Sequence, residues 1–180
     1  RPAVTCNGES LSFAELEQAS ARFAAFLQSA GLQPGDRVAL LLPNHLLYPV
    51  ALAAIARAGF VGVTMNPLYT AREVAYQLAD SGAVALVVAD PFAGLAAEAI
   101  ERTEVRHVVT VPMQELRRSL LAPAGDRPVR ARGSDVHLVP LHTAIASVQD
   151  AGFSAAQVRP SDLAFLQYTG GTTGVSKGAC

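Results

Sequence analysis

Two kinds of apolar pattern alternate along this chain. Short runs that are apolar at nearly every position, Arg37–Leu42, Phe60–Thr64, Ala83–Ala89 and His107–Val111, predict strands with no wet face. Between them, apolar residues recur every three or four positions, the spacing of one helix face. Leu16, Ala19, Phe23, Phe26, Leu27 and Ala30 form the first such stripe, and Ser12 with Glu15 opens it as a capping box. Gly31 closes it. Asn44 is read as the cap of a second helix that runs to about Gly59. Thr70 and Glu73 form another capping box over a helix ending at Gly82. Phe92, Leu95, Ala96, Ala99 and Ile100 give a further stripe.

The start of the chain, Val4–Cys6, Asn7-Gly8 and Glu9–Leu11, reads as a hairpin with a type I′ turn. Later signals are weaker. Gln114–Leu121 predicts a short helix, residues 122–136 a Pro-, Gly- and Arg-rich exposed excursion, and His142–Val148 a helix. Leu163–Tyr168 then predicts one more buried strand. Alternation of buried strands and amphipathic helices implies an α/β layered fold with a mainly parallel sheet. Ligands of such folds bind beyond the carboxyl ends of the strands.

Half of the 180 residues are apolar and 16% are charged, so disorder is not expected. Net charge is −1, which leaves no basic footprint for nucleic acid. Leu46–Met65 is twenty residues long with Arg57 as its single charge, enough to span a bilayer. Pro49, Gly59, Gly62 and the change to β-rich sequence at Phe60 argue instead for a buried helix followed by a buried strand, with no transmembrane span. Cys6 and Cys180 suggest neither a disulfide framework nor a zinc site, which fits a reducing, cytoplasmic setting. His45, His107, His137 and His142 lack metal-ligand spacing and read as structural or exposed. Phe13, Phe23, Phe26, Phe92 and Phe165 sit at core spacing and read as packing rather than as a binding pocket.

The candidate chemistry follows the last strand. Tyr168-Thr169-Gly170-Gly171-Thr172-Thr173-Gly174-Val175-Ser176-Lys177-Gly178 holds four glycines, three threonines and the one lysine of a chain with thirteen arginines. Glycines let backbone N–H groups turn toward an anion. Threonine hydroxyls add donors, and lysine adds a mobile point charge that follows a phosphate. The loop therefore reads as a polyphosphate cradle, the competing reading being a plain glycine-rich turn. It is not a Walker A loop, because Ser176 precedes Lys177 and Gly178 follows it. No G-x-G-x-x-G follows the early strands.

Thr169 to Gly178 resembles the phosphate-binding signature of the AMP-forming adenylate ligases, [ST]-[SG]-G-[ST]-T-G-x-[PA]-K-G, with Ser176 as the one departure. Leu42-Pro43-Asn44, Tyr48-Pro49-Val50-Ala51, Arg57-Ala58-Gly59, Asn66-Pro67-Leu68-Tyr69-Thr70 and Arg72-Glu73 look like the early part of these enzymes. Asp162 to Gly171 most resembles bacterial long-chain fatty-acid–CoA ligases. The resemblance is weakest from about 112 to 150. It implies that residues 1–180 are the N-terminal portion of an adenylation domain, ending at the phosphate loop and without the C-terminal domain. It also implies ATP with Mg2+, a fatty acid and coenzyme A as the reacting partners. The loop would bind the β- and γ-phosphates, with Lys177 stabilising them. The family's acyl tunnel, adenine pocket, magnesium-binding glutamate and adenylation lysine lie downstream, so these residues alone are expected to be inactive. A fatty acyl-AMP ligase, or another carboxylate-adenylating enzyme such as a carrier-protein-loading domain, is the alternative within the superfamily. A short protein that only binds nucleotide or a partner is the alternative outside it. Peripheral contact with the inner face of the membrane and a homodimer are both compatible with the sequence.

Overall fold

A computed structural model describes residues 1–114, 116–121, 136–148, 152–169 and 177–179. The first hairpin pairs β1 (Pro2–Cys6) with β2 (Glu9–Ser12), and Asn7 and Gly8 at φ 50° and 80° make the predicted turn. Ser12 caps α1 (Phe13–Ser29) reciprocally with Glu15. Gly31, at φ 97°, ends α1 with its N–H on the Gln28 carbonyl while Leu32 N–H reaches Leu27. That is the Schellman pattern, and it returns Leu32 to the core.

The rest builds one sheet. Its strands are β3 (Arg37–Leu41), β4 (Val61–Thr64), β5 (Ala83–Ala89), β6 (His107–Val111), β7 (His137–Pro140), β8 (Phe165–Thr169) and β9 (Lys177–Ala179). Their order among the described residues is β7-β6-β5-β3-β4-β8-β9, parallel throughout except for β9, which runs antiparallel to β8. The helices are α2 (Leu47–Arg57), α3 (Ala71–Ser81), α4 (Ala93–Ile100), α5 (Leu116–Leu120) and α6 (Leu141–Ala146).

Alternation within the buried strands feeds two cores. Val38, Leu40, Val87 and Val109 face one cluster with α1, α2 and α6; Ala39, Leu41, Leu86, Val88 and Val108 face another with α3 and α4. Because both faces are covered, the strands read as unbroken apolar runs. The apolar stretch 46–65 resolves as predicted into α2 and β4. Among the described residues no helix is long and apolar enough to cross a membrane.

Several expectations are corrected. Asn44 does not cap α2. Leu46 holds the cap position in a helical conformation with no side-chain bond, while the Asn44 carbonyl accepts the Cys6 thiol at 3.6 Å. Leu163 and Ala164 precede β8 and are exposed, and Gln167 within it is exposed too. Leu166 and Tyr168 pack toward α3, whereas Phe165 and Gln167 face the small residues Gly62 and Thr64 of β4. β7 was not anticipated: it is short, ends in Pro140 and forms the outer edge, where a missing N–H is tolerated. Phe13 is 59% exposed at the start of α1, unlike Phe23. Residues 122–135 of the expected excursion, and Cys180, lie outside the described residues.

At α3, the Thr70 hydroxyl accepts from the Glu73 N–H at 3.4 Å, and the Glu73 carboxylate accepts from the Thr70 N–H at 2.8 Å. Thr70→Ala is expected to lower stability by about 1 kcal/mol, with Thr70→Ser near wild type. Urea midpoints of the full-length protein check this.

Candidate functional site

Six parallel strands point their carboxyl ends the same way, and β8 ends at the Gly/Thr loop. Tyr168 pairs with Gly178 and Thr169 with Lys177, so the segment between them connects the two arms of a hairpin. Of the eleven candidate residues, Tyr168, Thr169, Lys177 and Gly178 are described. Gly170, Gly171, Thr172, Thr173, Gly174, Val175 and Ser176 lie outside the described residues.

Lys177 is exposed at the mouth of the hairpin, and no described side chain pairs with it. A free ammonium on a four-carbon stem is suited to following a phosphate as charge moves. Tyr168 has a different role. It is buried, packs in the α3-side core, and its hydroxyl donates to the Asp80 carboxylate at 2.6 Å. Burial first, then the bond and charge of Asp80, push its pKa above that of an ordinary phenol. Its hydroxyl is therefore engaged by the protein, which favours packing over nucleotide stacking. Gly178 lies against the same ring: a Cβ there would sit 3.1 Å from Tyr168 Cζ. On the opposite face of β8, the Thr64 hydroxyl donates to Gln167 Oε1 at 2.6 Å.

The sequence reading did not single out Asp80. The one signal for it is electrostatic: a carboxylate in the last turn of a helix opposes the helix dipole, so it has reason to hold a partner.

The neighbouring exit from β4 is ordered by local bonds. Asn66 Oδ1 accepts from the Leu68 N–H at 3.0 Å, and Leu68 itself is 86% exposed. A cavity of about 620 Å³ lies at the other end of the sheet, lined by residues that include Pro34, Arg37, Phe60, Asp162 and Ala164. It opens by the amino ends of β3, β4 and β8, and neither Lys177 nor Gly178 lines it.

His45 is buried with Nδ1 unpartnered, and its burial lowers its pKa against the opposing pull of Glu9 and the Met113 carbonyl. His107 and His137 stack at 5.5 Å on adjacent strands. Among the described residues no group of three or more His, Cys, Asp or Glu side chains is placed to hold a metal.

Known proteins resemble this chain over nearly its whole length. The long-chain-fatty-acid–CoA ligase of Salmonella typhimurium is 43% identical over 197 aligned residues, covering 99% of this chain and 33% of the relative. The crystal structure of apo MatB from Rhodopseudomonas palustris superposes with a TM-score of 0.74 at 32% identity, covering 99% of this chain and 31% of that one. A long-chain-fatty-acid-CoA ligase from Archaeoglobus fulgidus gives a TM-score of 0.74 at 26% identity, covering 99% and 30%. The chain thus spans about a third of the length of the relatives it matches. The sequence model for AMP-binding enzymes matches residues 1–180, and the chain belongs to that family.

Proposed function

We propose that the full-length protein is a long-chain fatty-acid–CoA ligase and that residues 1–180 supply the N-terminal portion of its AMP-binding domain. The observation that carries this reading is the 43% identity, over 99% of the chain, to a ligase of that specificity. The Gly/Thr hairpin with Lys177 at its mouth supports it from the side of chemistry.

In the first step a fatty-acid carboxylate oxygen attacks the α-phosphorus of ATP, and the bond to the β-phosphate oxygen breaks, releasing pyrophosphate. In the second, the coenzyme A thiol gives up its proton and its sulfur attacks the acyl-adenylate carbonyl, releasing AMP. The loop's task is to hold the β- and γ-phosphates. Its backbone N–H groups, its threonine hydroxyls and the Lys177 ammonium neutralise the charge that grows on pyrophosphate as it leaves. Mg2+ enters with ATP, held by the phosphates; no step is assigned to a metal held by the described side chains. ATP and coenzyme A place the reaction in the cytoplasm, and an apolar acyl substrate makes transient contact with the inner face of the membrane part of the same reading.

The test is to incubate the full-length protein with a long-chain fatty acid, ATP, Mg2+ and coenzyme A. AMP, pyrophosphate and acyl-CoA should appear in equal amounts. Release of AMP and pyrophosphate with no dependence on coenzyme A would replace this reading by a ligase with a different acceptor. No ATP turnover with any carboxylate would overturn the enzyme reading.

A further inference from the structure

We propose that Asp80 is a positioning residue: by holding the Tyr168 hydroxyl it locks both arms of the phosphate-loop hairpin onto α3. This rests on the reading of the loop as the ATP phosphate site.

β8 is laddered to β4, but among the described residues the outer arm of the hairpin pairs with β8 alone. β9 is three residues long and exposed along its length, and a short two-stranded extension is marginal on its own. Tyr168 joins three parts at one point. Its backbone belongs to β8 immediately before the loop. Its ring lies under Gly178 of β9, where even a methyl group would press on the ring at 3.1 Å. Its hydroxyl donates to Asp80 in α3 at 2.6 Å. On the other face, Thr64 fixes Gln167, the preceding residue. The last two residues of β8 before Thr169 are therefore fixed from both sides of the sheet. Donors that stabilise a leaving pyrophosphate must be held to within a fraction of an ångström of their working positions. A hydrogen bond from a buried phenol to an ionised carboxylate is of the stronger kind. Burial and the neighbouring carboxylate keep the phenol protonated, so it remains the donor.

Asp80 itself is exposed, so Asp80→Ala leaves no buried charge unpaired. Tyr168→Phe keeps the ring under Gly178 and removes only the hydroxyl. In the full-length protein both variants should slow pyrophosphate release roughly 10- to 100-fold, mainly in kcat with a smaller change in KM for ATP. Asp80→Ala/Tyr168→Phe together should be no slower than either alone, and Asp80→Asn, whose amide oxygen still accepts, should restore most of the rate. Amide hydrogen exchange in peptides covering 165–169 and 177–179 should rise in both single variants.

Unchanged exchange in both overturns the latch. Raised exchange with unchanged kcat overturns its positioning role and leaves it a stability contact. If the wild-type protein makes no acyl-CoA, the ligase reading fails on its own, and exchange measured with and without ATP still decides the latch. A latch that holds the phosphate loop predicts ATP protection of both peptides in wild type and its loss in the variants; absence of that difference overturns it.

Discussion

Replacing Lys177 with alanine in the full-length protein is expected to cut the rate of fatty-acid adenylation about 100- to 1,000-fold, the range for loss of one preorganised donor to developing charge. ATP binding should weaken by much less. The reason lies in when the charge appears. On the proposed reading of the loop, the phosphate charge of ATP before reaction is shared with Mg2+ and with the loop's backbone donors. As the bond to the α-phosphate breaks, negative charge grows on the departing pyrophosphate, and a mobile ammonium gains most at that moment. Lys177 is exposed and no described side chain pairs with it, so its removal orphans no described group and should not unfold the protein. Lys177→Arg separates charge from shape. It keeps the positive charge but substitutes a planar fork for a point charge, and should recover only part of the rate. Pre-steady-state pyrophosphate release, with ATP affinity measured separately by titration, reads both quantities. An adenylation rate within twofold of wild type in Lys177→Ala would remove Lys177 from the chemistry.

How much of this could be read from the chain differs from residue to residue, and the differences have physical causes. Ser12–Glu15 and Thr70–Glu73 are local signals, complete within four residues, and both capping boxes form as written. Strands β3 to β6 are legible because both their faces are covered, so nearly every position is apolar. Asn44 misled because a good capping residue is only a candidate. Pro43 precedes it, and the chain turns into the helix three residues later, where Pro49 in the first turn loses no hydrogen bond. The site divides in the same way. The phosphate-loop reading draws on signals complete within eleven residues, four glycines, three threonines and the one lysine. Its connection to Asp80 spans 88 positions and depends on α3 lying across the sheet, which no local pattern encodes. Tyr168 adjoins the loop, so from sequence it reads either as a residue near the nucleotide or, the favoured role, as a cap on the core. Strand alternation turns it inward, to the same side as Leu166, in keeping with the packing role.

Alternation and helical phase also separate Phe23 from Phe13, two phenylalanines of one helix that the sequence treats alike. Phe23→Ala is expected to destabilise the protein by about 3–5 kcal/mol, the usual cost of emptying a buried aromatic site. Phe23 is 0% exposed in the core shared by α1, α2 and α6, and its ring stacks on Phe26 at 6.4 Å. Other members of that core, including Leu27, Leu47 and Ile55, are themselves fully enclosed, so little can move in to fill the cavity. Phe13→Ala should change stability by no more than about 0.5 kcal/mol, because a ring that is 59% exposed gives up little on truncation. The pair is measured as urea-unfolding midpoints of the full-length protein, with exchange of the α1 amides locating the loss. The effect on catalysis should follow stability alone. α1 packs on the face of the sheet opposite Tyr168, so the folded fraction of Phe23→Ala should keep its adenylation rate, while the folded fraction of Asp80→Ala should be slowed. Equal stability of the two phenylalanine variants would mean that the interior of this layer relaxes around a lost ring, contrary to the close packing that its enclosed neighbours imply.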